Sequence, residues 1–95
     1  MSEKDASQRR EVLYHGMVQG VGFRYTTRWI ASQFQVTGYV QNLADGRVLL
    51  VAEGAAGELD RLLAAISRQM GRYIDGARET VSPATGQFQR FEIRH

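Results

Sequence analysis

The chain has 95 residues, 43% of them hydrophobic and 23% charged, which is the composition of one soluble globular domain. A formal net charge of +2, with arginines spread along the chain, is too small to indicate nucleic acid or a membrane surface as a partner. The absence of cysteine excludes disulfides, thiolate metal sites and cysteine nucleophiles, and two histidines are too few for a histidine-built metal cluster.

The N-terminal segment, MSEKDASQRR, is polar and lacks the apolar run of a secretory signal. No stretch of the sequence reaches the length of a membrane-spanning helix. We therefore expect a cytoplasmic protein with a flexible tail over residues 1–8 and a single domain over residues 9–95.

The first two elements are a strand and a helix separated by a glycine-containing segment. Residues 11–18 (EVLYHGMV) mix β-branched, aromatic and apolar side chains, which predicts a largely buried strand. From Phe23 to Phe34 the apolar residues recur at helical spacing, so this segment predicts an amphipathic helix. Trp29 falls outside the apolar stripe of that helix, and we expect it to pack at the helix flank.

A hairpin follows the first helix. Residues 36–42 (VTGYVQN) return to strand chemistry, and residues 47–54 (RVLLVAEG) form a second apolar run. The pair Asp45-Gly46 lies between the two runs, and this dipeptide is a strong signal for a tight turn between paired strands.

The second half of the chain predicts another helix and one or two short strands. Residues 77–82 (ARETVS) and 88–94 (FQRFEIR) are the strand candidates, joined around a proline and a glycine. The helix is indicated by apolar residues at positions i, i+3, i+4, i+7 and i+11, which are Leu59, Leu62, Leu63, Ile66 and Met70.

This order of elements predicts an α+β fold. Two helices are too few to cover both faces of a four- or five-stranded sheet, so both should pack on one face. The result is a ferredoxin-like sandwich with an antiparallel sheet. We expect the first strand at the centre of the sheet, with its loop beside the loop that follows the second strand.

The glycine-containing segment HGMVQGVGFR, residues 15–24, carries the clearest functional pattern. Gly20 and Gly22 are free to adopt positive φ, which turns successive N–H groups inward and forms a nest for an anion. The helix that begins at Phe23 adds unpaired N–H donors and a favourable dipole. Arg24 costs about 0.3–1 kcal/mol against that dipole, whereas each charge-assisted hydrogen bond to a phosphate contributes roughly 1.5–3 kcal/mol. The pattern favours an oxyanion site, and the glycines alone also fit a purely structural turn.

Two segments, GMVQGVGFR (16–24) and GYVQNLADGRV (38–48), resemble the two signatures of the acylphosphatase family, in the order and at the separation found there. The resemblance extends over about residues 10–94. It implies that Arg24 binds the substrate phosphate and that Asn42 orients the attacking water. It also implies that the phosphate is cradled by the backbone N–H groups of Gln19, Gly20, Val21, Gly22, Phe23 and Arg24.

The implied activity is hydrolysis of a small acyl phosphate to a carboxylate and inorganic phosphate, by a monomer that uses no metal and no cofactor. This chemistry fits the residues present. A carboxylate leaves without a general acid because the pKa of its conjugate acid is only about 4. The loose transition state of phosphoryl transfer mainly requires positioning and charge stabilisation, which an arginine and backbone N–H groups supply.

Other interpretations of these residues stay open at this point. RNA-binding domains share the architecture, but they place aromatic residues on a central strand to stack bases, and residues 47–54 contain none. A catalytically inactive acylphosphatase-like module would bind a phosphate compound in a regulatory role. Asn42 and Asp45 also fit ordinary turn chemistry. His15 fits a strand-packed or rim position better than a phosphohistidine.

Overall fold

The computed structural model describes residues 7–95, which form a five-stranded sheet and two α-helices. The strands are β1 (Ser7–Gly16), β2 (Val36–Asn42), β3 (Val48–Ala55), β4 (Ile74–Pro83) and β5 (Phe91–Arg94). The helices are α1 (Phe23–Ala31) and α2 (Ala56–Met70), and a short 3₁₀ turn (Gly71–Tyr73) leads from α2 into β4. The predicted α+β sandwich of ferredoxin-like type is confirmed.

The first strand begins earlier than its apolar residues indicate. Ser7 and Gln8 pair with Ala55 and Gly54 of β3, so β1 starts inside the predicted tail. The backbone hydrogen bonds of a sheet do not require apolar side chains, and for this reason the polar sequence gave no signal. The remainder of the predicted tail lies outside the described residues.

The strand order across the sheet is β4-β1-β3-β2-β5. The central strand is therefore β3 rather than β1, because β4 is added outside β1 and β5 outside β2. Four of the strands pair antiparallel, as predicted, whereas β5 runs parallel to β2. This parallel pair arises because residues 84–90 carry the chain from one edge of the sheet to the other before β5 begins.

The hydrophobic core lies between the sheet and the two helices. In α1 the inner face carries Phe23, Thr27, Ile30 and Ala31, all buried, which confirms the predicted stripe. In α2 four members of the predicted stripe are buried and Leu63 is partly buried. The sheet contributes Val12, Tyr14, Val36, Val40, Val48, Leu50 and Ala52.

The helices are short: α1 has nine residues and α2 has fifteen. Neither of them has the length and apolar character needed to cross a bilayer, and the described part of the chain holds no other α-helix. Trp29 lies on the outer side of α1 and is 60% exposed, so the expectation that it packs at the helix flank is wrong. The indole has no place in the core, because Phe23, Thr27, Ile30 and Ala31 already fill the inner face of α1.

Candidate active site

The sheet topology brings the ends of β1 and β2 to the same edge. Both strands pair antiparallel with β3, and Val48, the first residue of β3, is paired with Tyr14 on one side and Asn42 on the other. Two strand spacings place the ends of β1 and β2 about 10 Å apart. The loop after β1 (17–22) and the turn after β2 (43–47) therefore flank the start of β3.

A pocket of about 270 Å³ opens between these loops and the start of α1. Its lining residues are Val18, Gly20, Gly22, Phe23, Arg24, Tyr25 and Asn42. Arg24 and Asn42 thus line one pocket, whereas Gln19 and Val21, also predicted for the phosphate site, do not line it. Val21 instead packs its side chain against the hydrophobic core.

The backbone of the loop after β1 has the conformation that glycine favours. Gly20 has φ 81° and Gly22 has φ 76°, both in the left-handed region, and a Cβ added at either position would meet no atom within 4 Å. Glycine is therefore required here for its backbone angles rather than for lack of space. Gly22 is also the N-cap of α1, and it offers no side chain to the first turn.

The N–H groups of this loop have no acceptor within residues 7–95. The first helical hydrogen bond of α1 is donated by Thr26 to the Gly22 carbonyl at 2.9 Å. Between Gly20 and Arg24 no N–H group of the described chain donates to a carbonyl or a side chain. The first turn of α1 also contains no acidic residue. The loop and the helix start thus present a row of unused donors, which is the arrangement that binds anions.

Arg24 is held by two long contacts with residues 94 and 95. Its Nη1 donates to the Arg94 carbonyl at 3.2 Å and lies 3.3 Å from Nδ1 of His95. No carboxylate of residues 7–95 lies within ion-pair distance of this guanidinium. The positive charge of Arg24 is therefore not neutralised by any carboxylate of the described residues.

The Arg94 carbonyl is a contributor to the site that sequence reasoning missed. It belongs to β5, 70 residues along the chain from Arg24. The side chain of Arg94 lies over the Tyr39 ring of β2, with Cζ 3.7 Å from the ring centroid, which fixes the end of β5 beside the pocket. A backbone carbonyl leaves no trace in a sequence pattern, so only the fold reveals this contact.

Asn42 carries an unusual buried acceptor. Its Oδ1 is buried and makes no hydrogen bond within the described chain. Leaving a buried polar atom unpaired costs about 1–3 kcal/mol, and folded proteins rarely keep such an atom without a use for it. A water or substrate group in the pocket would supply the missing donor.

The side chain of Gln19 joins the two loops. Its Nε2 donates to the Leu43 carbonyl at 2.8 Å and to the Arg47 carbonyl at 2.9 Å. The Leu43 N–H in turn donates to the Arg47 carbonyl at 2.8 Å, which closes the turn after β2. Gln19 was predicted to act through its backbone, and this side-chain contact between the loops was not foreseen.

The comparison with known proteins decides the family. The acylphosphatase family model matches residues 10–93 of this chain.

The chain belongs to the acylphosphatase family.

Named acylphosphatases resemble the chain over nearly their whole length. The acylphosphatase of Paenarthrobacter aurescens (strain TC1) is 43% identical over 91 residues, which cover 94% of this chain and 96% of that protein. The acylphosphatase of Lactobacillus johnsonii (strain CNCM I-12250 / La1 / NCC 533) is 39% identical over 80 residues, covering 82% and 88%. The crystal structure of acylphosphatase from Bacillus subtilis superposes with a TM-score of 0.86 at 30% identity, covering 93% of this chain and 99% of that one.

Asp45 and His15, the two other residues considered for a chemical role, have structural explanations. Asp45 accepts hydrogen bonds from the Arg47 side chain at 2.9 Å and the Arg47 N–H at 3.1 Å. The hydrogen bond from the Arg47 side chain holds the pKa of Asp45 below its usual value, so Asp45 stabilises the turn as a carboxylate and makes a poor base. His15 is exposed on β1 opposite Gly76 of β4, outside the pocket.

Proposed function

We propose that this chain hydrolyses the carboxyl–phosphate bond of small acyl phosphates, giving a carboxylate and inorganic phosphate without a metal ion. The proposal rests on the groups that line one pocket. Within the described residues, this pocket combines N–H groups that have no acceptor, the Arg24 guanidinium with no carboxylate at ion-pair distance, and Oδ1 of Asn42 with no hydrogen bond. Membership of the acylphosphatase family supports the same conclusion.

The phosphate is assigned to the loop and the helix start. The N–H groups of Gln19 through Arg24 hold its oxygens, and the Arg24 guanidinium adds charge-assisted hydrogen bonds. A dianion competes well with the neutral Arg94 carbonyl, because hydrogen bonds between two charged groups are roughly twice as strong. As the transition state spreads negative charge over the equatorial oxygens, these donors stabilise it without moving.

The attacking water is assigned to Asn42. Its Oδ1 accepts a hydrogen bond from the water, and its amide donates to a phosphate oxygen, so the water is held in line with the bond that breaks. A phosphate oxygen of the substrate takes the proton of the water, and the carboxylate leaves unprotonated. Phosphate monoesters, which release a poor alkoxide leaving group, should be much worse substrates.

The cellular setting is part of the proposal. We infer that the enzyme acts in the cytoplasm as a monomer on a free small molecule, with no nucleic acid or membrane partner. The support is the small net charge and the globular composition.

A kinetic assay with benzoyl phosphate and a chelator tests this function. The protein should turn over benzoyl phosphate in the presence of the chelator. Arg24→Gln should lower kcat/KM by about 10³–10⁵, the range measured for arginines that stabilise phosphoryl-transfer transition states. Asn42→Ala should lower kcat by about 10² or more and leave the affinity for inorganic phosphate nearly unchanged.

Arg68→Gln is the matched control, because Arg68 is an exposed arginine at the end of α2, away from the pocket. Its kinetics should equal those of the unmodified protein. Retained phosphate binding with no hydrolysis would instead identify an inactive, regulatory module. Normal turnover by Asn42→Ala would remove the role assigned to that residue.

A further inference from the structure

Two large aromatic side chains on α1 are not explained by the core. Tyr25 is 56% exposed and Trp29 is 60% exposed, although aromatic rings gain more than most side chains from burial. They stand four residues apart on one helix, and residues at this spacing are neighbours on the helix surface. The outer face of α1 therefore presents an aromatic strip made of Tyr25 and Trp29.

This strip begins at the catalytic pocket. Tyr25 follows Arg24 directly in the first turn of α1 and lines the 270 Å³ pocket. It also lines a second, larger cavity of about 530 Å³, whose apolar walls include Trp29, Phe34 and Phe91. Tyr25 is thus the lining residue that the two cavities share.

The order of groups in an acyl phosphate matches this arrangement. The phosphate lies in the loop, and the in-line geometry places the leaving carboxylate on the side of the phosphorus away from the attacking water. Asn42, which is assigned to the water, comes from the sheet, whereas Tyr25 comes from the helix. With the phosphate bound in the loop, an acyl group directed away from Asn42 would lie beside Tyr25, which lines the same pocket.

We propose that Tyr25 and Trp29, with the groove they line, form the acyl-binding subsite and select planar aromatic acyl groups over short aliphatic ones. This inference rests on the proposed hydrolysis of acyl phosphates. Ring stacking and apolar contact supply the recognition. Arg28 also lines this groove, and its guanidinium lies over the Tyr25 ring at 5.8 Å from the centroid.

The test compares two substrates with the same reactive group. Benzoyl phosphate and acetyl phosphate differ only in the acyl part, so the ratio of their kcat/KM values isolates its recognition. Tyr25→Ala should reduce the benzoyl-to-acetyl ratio by about tenfold, and Tyr25→Phe should preserve it. Trp29→Ala should raise KM for benzoyl phosphate and leave acetyl phosphate kinetics and inhibition by inorganic phosphate unchanged.

Gln33→Ala is the control, since Gln33 is exposed just beyond α1 and does not line the groove. An equal effect of Tyr25→Ala and Trp29→Ala on both substrates would overturn the acyl subsite while leaving the hydrolase intact. Failure of the unmodified protein to hydrolyse either substrate would overturn the proposed function itself. The two failures are therefore distinguishable in one experiment.

Discussion

At the scale of single residues, Gln19 connects the two halves of the site. A primary amide carries two N–H donors, and both are used here on carbonyls of the turn after β2. That turn begins immediately after Asn42, and the loop that carries Gln19 ends at the helix bearing Arg24. The pairing of β1 and β2 with β3 places the two loops side by side, and the side chain of Gln19 ties the loop assigned to the phosphate to the turn that follows Asn42.

Gln19→Glu tests this connection with almost no change in shape. A carboxylate donates no hydrogen bond, so it would face two carbonyl oxygens and push the loops apart. We expect kcat for benzoyl phosphate to fall by about 10–100-fold, because catalytic groups displaced by about 1 Å lose activity on this scale. The free energy of unfolding should fall by about 1–3 kcal/mol in urea titrations.

The control for this substitution is Gln33→Glu, which introduces the same charge at an exposed position outside the site. It should leave both kcat and the urea midpoint unchanged. Full kcat in Gln19→Glu would show that the hydrogen bonds of the Gln19 side chain are not needed to position the two loops for hydrolysis.

At the scale of elements, β2 depends on a glycine in its interior. Gly38 has φ 138°, and a Cβ added there would collide with the Val51 carbonyl of β3. The Gly38 N–H donates to the Arg90 carbonyl at 3.0 Å, at the point where β5 begins to pair with β2. The close approach of β3 leaves no room for a side chain at this position.

Gly38→Ala should therefore destabilise the protein. The strain at positive φ and the displacement of β3 together cost about 1–3 kcal/mol, to be measured as a shift of the urea midpoint. Gly57→Ala is the matched control, since Gly57 lies in the first turn of α2 and a Cβ there meets only the flexible end of Arg61. It should change stability by less than about 1 kcal/mol. Equal stability of both variants would contradict the steric argument.

Local patterns predicted those features of the fold that depend on neighbouring residues. The start of α1 at Phe23 and both ends of β2 agree with the predicted positions, because the change from strand to helix periodicity is visible within a few residues. Gly20 and Gly22 were expected to adopt positive φ from the local glycine pattern, and both do. The beginning of β1 at Ser7 and the parallel placement of β5 were missed, since pairing partners far along the chain determine them.

The residues of the candidate site, like the elements of the fold, could be predicted only where a local motif marks them. Arg24 was identified by its place at the start of a helix behind the glycines as well as by the family resemblance, and the role of Asn42 came from the resemblance. The sheet topology brings both residues to one pocket. The Arg94 carbonyl and the Gln19 side chain escaped prediction because both act through contacts between distant segments. The packing of Trp29 was predicted wrongly because helical periodicity separates the inner from the outer face of α1. It does not show whether an aromatic ring on the outer face is covered.

At the scale of the whole molecule, a buried carboxylate joins the centre of the sheet to the segment that precedes β5. Glu53 of β3 is 4% exposed and accepts hydrogen bonds from the N–H groups of Thr85 and Gly86, both at 3.0 Å. It also accepts one from the Thr85 hydroxyl and pairs with Arg9. Residues 84–90, which deliver β5 to the far edge of the sheet, are therefore anchored at its middle.

The protonation of Glu53 should make stability depend on pH. Burial alone raises the pKa of Glu53, but hydrogen bonds from the Thr85 and Gly86 N–H groups, the Thr85 hydroxyl and Arg9 bring it below the ordinary value of 4.5. A pKa lower in the folded than in the unfolded state adds stability above 4.5, and this stability is lost as the pH falls through the lowered pKa. The free energy of unfolding should therefore decline as the pH is lowered below 4.5.

Urea titrations between pH 7 and pH 3 measure this effect. Glu53→Gln should be about 1–3 kcal/mol less stable at pH 7 and should lose less stability on acidification than the unmodified chain. Glu92→Gln, an exposed position on β5, is the control and should keep the original acid dependence. An unchanged acid slope in Glu53→Gln would show that other carboxylates dominate acid unfolding.

The route of the chain to its last strand bears on when hydrolysis first becomes possible during synthesis. The loop with Arg24 and the turn after Asn42 leave the ribosome early, but the carbonyl that contacts the arginine belongs to Arg94. Closing a contact over such a span has an entropic cost that local elements do not bear. The Arg94 carbonyl can restrain Arg24 only once β5 has been made and has paired with β2, and we expect hydrolysis to reach its full rate only at that stage.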